Sequence, residues 1–323
     1  MNLLVTGGAG FIGSHFVKSQ LNSQNWKKIF VIDSLTYAGN LSNLAQVLSD
    51  DRITFIKADI NDVNVIDEVT EKINTLVHFA AESHVDRSIK GSRRFVVTNV
   101  LGTQNLLEHS KKNKVEKFVH ISTDEVYGSI EIGSWDEFEP LKPNSPYSAS
   151  KASSDLLAIS YAKTFGIDIR ITRCSNNYGS FQHIEKVIPL FITNLMQDKK
   201  IPLYGNGMNS RDWLHVSDHC RAIELVIQNG IAGSIYNIGG GEELTNIELT
   251  EIILELMQKD TSYIDYVEDR KGHDLRYSVD FSKLTRETGY QPQVQFAEGL
   301  NRTISWYKNN EKWWREILNR IEY

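Results

Sequence analysis

Leu3-Leu4-Val5-Thr6-Gly7-Gly8-Ala9-Gly10-Phe11-Ile12-Gly13 is the stretch on which the fold turns. A short apolar run meets a cluster of glycines, and residues 13–22 then have the length of a helix. Gly7, Gly10 and Gly13 form a G-x-x-G-x-x-G spacing. Between a strand and a helix, such glycines allow a tight turn, close approach of backbone to a pyrophosphate and close helix–strand packing. The helix N-terminus offers its free N–H groups and positive dipole end to the phosphates. A simple cluster of turn glycines is the rival reading, and the strand–loop–helix context weighs against it.

Outward from this unit the same alternation repeats. Residues 28–32, 54–57, 76–79, 117–122 and 168–172 read as strands, and helix-length segments such as 102–112 lie between most of them. Strands alternating with helices predict an α/β fold, a Rossmann-type doubly wound parallel sheet with helices on both faces. After Arg173 the pattern loosens, punctuated by Pro189, Pro202, Gly205, Gly207 and Gly239-Gly240-Gly241. Residues 246–258 and 298–309 have helical apolar spacing. We expect a dinucleotide-binding domain over residues 1–175, a return strand near 235–238, and a smaller mixed α/β substrate domain over 176–323.

Composition narrows the partners. The net charge of −6 comes without a basic tail, which argues against nucleic acid. Cys174 and Cys220 are the only cysteines and neither belongs to a CxxC pair, so neither a metal site nor a disulfide framework is expected. The apolar run at residues 3–5 is too short for a signal peptide, and no stretch approaches the ~20 apolar residues of a membrane span. A cytosolic protein is expected.

The chemistry-bearing residues fall into three groups. Asp33 follows the second strand, about 20 residues past Gly13, where a carboxylate accepts hydrogen bonds from a ribose diol and repels a 2′-phosphate. NAD is therefore favoured over NADP, and Asp59, after the third strand, is placed to meet adenine. A capping role is the rival reading for Asp33. Tyr147 and Lys151 stand four apart and share a helix face. A cation beside a phenol favours phenolate, which suits Tyr147 to take a proton from a sugar or alcohol hydroxyl. Thr123-Asp124-Glu125 adds an acid pair at the end of an apolar run. Two adjacent carboxyls push one pKa upward, as acid–base chemistry requires. On an extended strand they would point to opposite faces, so both reach one substrate only if the strand ends there. His84 and His120 read as packed histidines, and Trp313-Trp314 as packing for the last helix.

Longer motifs carry a resemblance. GGAGFIGS (7–14), AAESHVDRSI (80–89), STDEVYG (122–128) and SPYSASKASSD (145–155) are joined by CSNNYG (174–179), RDWLHVSDH (211–219), YNIGGG (236–241) and GHDLRY (272–277). Over nearly its whole length the chain resembles the extended short-chain dehydrogenase/reductase family, in its NAD-dependent epimerase/dehydratase group. The combination of AAESHVDRSI and TDEVYG is similar to the nucleotide-sugar 4,6-dehydratases. That resemblance implies oxidation at C4 of dTDP-glucose, loss of water across C5 and C6, and reduction at C6, with NAD regenerated each turnover. It implies that Tyr147 and Lys151 serve the oxidation, with Thr123 on the C4 oxygen, Glu125 as base and Asp124 as acid. Besides Gly7, Gly10 and Gly13, it sets Phe11, Ile12, Asp33, Ser34, Leu35, Thr36, Asp59 and Ile60 against NAD. Phe79, Ala80, Ala81, Ser83, Thr98, Asn177, Tyr147 and Lys151 complete that set. Ser83, Thr123, Asn176, Lys186, Val187, Pro202, Tyr204, Arg211, Asn246, Arg270 and His273 are set against the nucleotide sugar, with Arg211 as a fork for the diphosphate.

The chain departs from the family pattern at Ser180 and Lys271, both usually proline, and at Gln182-His183-Ile184, usually His-Phe-Pro. Its 129–144 loop is short. The resemblance also implies a homodimer formed through helices at 102–112 and 148–165. Two other functions remain open. A UDP-sugar 4-epimerase or decarboxylase starts with the same oxidation, but epimerases commonly carry small residues where Asp124 and Glu125 stand, and some decarboxylases keep only the Glu. A non-catalytic NAD-binding sensor needs none of these side chains.

Overall fold

The structure, a computed structural model, describes residues 1–23 and 25–321. Seven strands form a parallel sheet: β1 (Asn2–Thr6), β2 (Lys28–Asp33), β3 (Ile53–Lys57), β4 (Thr75–His78), β5 (Lys117–Thr123), β6 (Ile169–Cys174) and the return strand β10 (Ile235–Ile238). Their order is β10-β6-β5-β4-β1-β2-β3. The chain runs outward from β1 to β3 on one side, then from β4 to β6 on the other. The crevice at this reversal, beyond the carboxyl ends of β1 and β4, is where doubly wound sheets bind ligands. Gly7 and Phe79 stand at its lip, each one residue past its strand. The strands are apolar on both faces because helices cover both. One core gathers Leu3, Val5, Phe16 and Val31. The other gathers Leu4, Ile66, Leu106 and Phe118.

The central sheet also buries histidines. His78 and His120 are paired in register on β4 and β5, with ring centroids 5.4 Å apart. Thr6 and Thr103 hydroxyls hold His78, and Ser154 holds His120. His120 is thus a packed histidine, as its sequence context suggested.

The other strands are β7 (Asn176–Tyr178), β8 (Ile201–Tyr204), β9 (Ser210–His215), β11 (Glu243–Thr245) and β12 (Ile264–Val267). They form a three-stranded sheet, β11-β9-β7, and a two-stranded one, β12-β8. A separate core, with Trp213, Phe191, Leu300 and Trp314, lies among them. The chain crosses between cores more than once. The Val216–Asn229 helix buries Cys220, Ile223 and Val226 in the core beneath the main sheet, and Leu284 and Tyr290 join it there.

Two helices shape the site. Pro146–Phe165 starts with Ser145 in a capping box with Ser148, has Pro146 at its first turn, and ends at the left-handed Gly166. The helix expected at 102–112 begins earlier. Arg93–Phe95, the wide-turned Val96–Gly102 and Thr103–Lys112 run on as one helical segment. The valines at 96, 97 and 100 concealed it, because β-branched residues disfavour helix and only packing overrides that. Wide π-type turns of this sort are frequent at functional sites. Among the described residues, no helix is long and apolar enough to cross a membrane.

Candidate active site

Gly7 has φ +69°, and a Cβ there would lie 2.6 Å from the Ala80 nitrogen. At Gly13 a Cβ would lie 2.3 Å from the Gly7 oxygen. The first position needs its backbone conformation and the second needs the helix to press on the loop. The helix Phe11–Leu21 has Gly10 at its cap with no side-chain cap, so its first N–H groups are left for a ligand. Asp33 ends β2. One of its oxygens accepts the Ala9 N–H at 2.9 Å and the other the Leu35 N–H at 2.8 Å. Burial pushes the carboxyl up, and these peptide N–H groups pull it back. Asp33 thus braces the glycine loop and still lines the crevice.

A single cleft of about 520 Å3 joins this end to the acid pair. Gly7, Gly10, Phe11, Ile12, Gly13, Asp33, Ser34, Thr36, Asp59 and Ile60 line it. So do Phe79, Ala80, Ala81, Ser83, Thr98 and Asn177. Leu35 does not. It adopts φ +53° and packs on the core, because the turn that presents its neighbours rotates it inward. Thr123, Asp124, Glu125, Tyr147 and Lys151 share the wall with Asn176 and Lys186. Glu82, within the 79–83 stretch set against NAD, lines it as well, and so do Arg94, Ser122, Ser175, Gln182 and His183, which were not assigned to the site. Ser122 and Ser175 stand inside the STDEVYG and CSNNYG motifs, a signal that was available. Arg94 had none, since it depends on the helix running through 93–112.

The strand does end in time. β5 stops at Thr123, and Asp124–Tyr127 is a 3₁₀ turn whose cap is the Thr123 hydroxyl, accepting from the Glu125 N–H at 3.3 Å. That turn brings both carboxyls into one cleft. Asp124 is 2% exposed. Burial, then the charges of Glu125 and Asp212, push its pKa well above the usual carboxylate range. Glu125 is also raised by burial, but the cations of Lys186, Arg270 and Arg211 oppose the shift. Lys186 is held by the Ser83 carbonyl at 2.8 Å.

The oxidation pair differs from expectation. Tyr147 is not made more acidic. Burial first, then the charges of Glu125, Cys174 and Asp124, raise its pKa well above 10, while a hydrogen bond with Thr123 opposes them. Lys151 sits one turn further along the helix and donates to the Ile121 carbonyl at 2.7 Å. Burial lowers it to about 8. Helical spacing predicted a shared face but not desolvation, and desolvation outweighs the pairing here.

Arg211 also differs. Its guanidinium donates to the Ser210, Leu275 and Asp274 carbonyls and lies 4.4 Å from the Tyr277 ring. Only part of the expected fork is left for a ligand. Val187, Pro202, Tyr204, Asn246, Arg270 and His273 fall outside the cleft wall described above. Three of them cluster together, with Arg270 also close enough to act on Glu125 and Lys186. Tyr204 lies edge-on to His273 at 6.1 Å and 5.9 Å from the Arg270 guanidinium, whose Nη1 is 3.5 Å from Asp86.

The family model described as GDP-mannose 4,6 dehydratase matches residues 4–303. The chain belongs to this family. It is 53% identical to a dTDP-glucose 4,6-dehydratase of an Actinoplanes species, covering 97% of this chain and all of the relative. A Streptomyces antibioticus protein of the same name is 54% identical, over 99% of this chain and 96% of its own. Among solved structures, the DesIV dTDP-glucose 4,6-dehydratase of Streptomyces venezuelae, with NAD bound, superposes with TM-score 0.97 and 56% identity, covering 98% of this chain and all of that one. A UDP-glucose 4-epimerase of Thermotoga maritima superposes with TM-score 0.90 but 29% identity, covering 96% and 100%. Shape alone therefore does not separate the family's members, and the residues in the cleft have to.

Proposed function

We propose that this chain is a dTDP-glucose 4,6-dehydratase, converting dTDP-glucose to dTDP-4-keto-6-deoxyglucose and water. One observation carries the reading. β5 ends at Thr123, so Asp124 and Glu125 share a cleft with Tyr147 and Lys151. An epimerase needs the second pair and not the first.

NAD suits the other end of the cleft. The first N–H groups of the helix after Gly10 carry no side-chain cap, a Cβ at Gly7 would drive the loop off the Ala80 backbone, and Asp33 offers a carboxylate where a 2′-phosphate would be repelled. Bound there, NAD would supply the hydride acceptor for the oxidation and would be regenerated within the same turnover. Tyr147 takes the C4 hydroxyl proton, and Thr123 holds the oxygen. Lys151 supplies the nearby cation. With C4 a carbonyl the C5 proton is acidic, and Glu125, fronted by Lys186 and Arg270, takes it. Asp124, kept neutral by its surroundings, gives its proton to the departing C6 hydroxyl. Residues 176–323 hold the nucleotide, with Tyr204, Arg270 and His273 as an aromatic and cationic cluster for it.

Incubation with dTDP-glucose and UDP-glucose, side by side and without added NAD, tests this. The 4-keto-6-deoxy sugar should accumulate from dTDP-glucose. A C4 epimer as product, or a stoichiometric demand for NAD⁺, would falsify it.

We infer a homodimer through the 93–112 and 146–165 helices. The two helices are joined by the Asn99 amide donating to the Ser150 hydroxyl at 2.8 Å. They expose Val96 (53%), Leu101 (53%) and Leu156 (58%), an apolar stripe that a second copy would cover. Light scattering should give twice the chain mass, falling to the chain mass in the Leu101→Glu/Leu156→Glu double variant. A monomeric unaltered protein would sink the idea.

A further inference from the structure

We propose that Asp212 is a positioning residue for the elimination: an anchored carboxylate on β9 that makes Asp124, and not Glu125, the carboxyl carrying the acid proton. The inference rests on the reading of Asp124 as acid and Glu125 as base.

Asp212 is 6% exposed. It accepts the Gly240 N–H on one oxygen and the Glu242 N–H on the other, each at 2.9 Å. The glycines following β10 make this possible. A Cβ at Gly240 would lie 1.9 Å from the Trp213 oxygen, and one at Gly239 would lie 2.9 Å from the Asp212 carboxylate. The loop therefore wraps tightly on β9 and aims two peptide dipoles at one carboxylate. Such bonds favour the anion.

Strand pairing brings this anion to the acid pair. Thr123 of β5 lies beside Cys174 of β6, and Asn176 of β7 beside Trp213 of β9. Ser175 is thus flanked by the residue after Thr123 and the residue before Trp213. Asp124 has a different environment. One oxygen accepts the Thr123 hydroxyl at 3.2 Å, and Oδ2 is buried with no partner. An ionised carboxylate with a bare buried oxygen is costly, whereas a neutral carboxyl is not. Glu125 in its own turn, Asp212 and Arg211 from β9, Tyr147 from its helix and Cys174 from β6 all face Asp124. Arg211 is the opposing cation among them, and backbone carbonyls take part of its donor set. Burial pushes Asp124, Asp212 and Glu125 up, but peptide N–H groups and the Ser175 hydroxyl pull Asp212 back and three cations pull Glu125 back, while Asp124 faces both of those carboxylates. The proton accordingly rests on Asp124.

The sign of the test follows. Removing the Asp212 charge lets Asp124 ionise at lower pH, and an acid that ionises sooner loses activity sooner on the alkaline side. In Asp212→Asn, the alkaline limb of the elimination rate should move down by about one pH unit, a roughly tenfold loss beyond the limb, with the acid-side plateau and KM kept. Asp212→Glu, which keeps the charge, should restore the limb. Infrared difference spectra read the proton directly. A protonated-carboxyl band, assigned by its loss in Asp124→Asn, should titrate away at lower pH in Asp212→Asn than in the unaltered protein. If Asp212→Asn does not fold, Asp212→Ser removes the same charge. A band titrating at the same pH in the charge-removed variant overturns the role of Asp212 alone. A band missing from the unaltered protein overturns it together with Asp124 as the acid. A uniform fall in rate at every pH marks Asp212 as merely structural.

Discussion

Glu125→Gln is expected to retain oxidation at C4 yet to stop incorporation of solvent deuterium at C5, with kcat lower by about 10²–10⁴-fold, the usual contribution of a general base. The substitution preserves volume, and the backbone N–H of residue 125 still caps on the Thr123 hydroxyl, so the 3₁₀ turn should persist. Only the proton acceptor goes. The motive is the distribution of charge: Lys186, Arg270 and Arg211 favour the Glu125 anion, while Asp124 has a buried oxygen with no partner. Single-turnover mixtures quenched and analysed by mass spectrometry separate the steps. Deuterium entering C5 at the unaltered rate would remove Glu125 as the base.

Tyr147→Phe should fail one step earlier. Loss of the hydroxyl removes the group that takes the C4 proton, and turnover is expected to drop about 10²–10⁴-fold. Packing should survive, because the ring stays edge-on to Phe95 and the backbone N–H still donates to the Ser88 hydroxyl at 3.2 Å. No 4-keto sugar and no C5 exchange should form, whereas Glu125→Gln should show the first without the second. The raised pKa of Tyr147 sharpens the expectation. Burial and two nearby carboxylates oppose the phenolate, so only the ionised fraction of Tyr147 can accept the C4 proton, and the variant removes it altogether. A variant with near-normal oxidation would take Tyr147 out of the mechanism.

The strands β1 to β6 were legible because each is an apolar run bounded by turns, and local periodicity depends on residues a few places apart. The glycine loop was legible for a similar reason, since the steric demands at Gly7 and Gly13 follow from their place between strand and helix. The helical segment from Arg93 was not. Its valines favour strand, and packing against the Pro146–Phe165 helix overrode them. The strand β8 escaped because Pro202 inside it argues against a strand.

The same division runs through the site. Residue order was enough to nominate Asp33, Thr123, Asp124, Glu125, Tyr147 and Lys151, since chemistry of that kind is written in residue type and spacing. It was not enough to say which carboxyl holds a proton, that Tyr147 resists ionisation, that Leu35 turns into the core, or that Arg211 spends donors on carbonyls. Those outcomes depend on desolvation and on charges brought together by remote strands, as Asp212 of β9 is brought to Asp124 after β5. Coulomb and burial energies depend on distance in space, and distance along the chain carries no information about them.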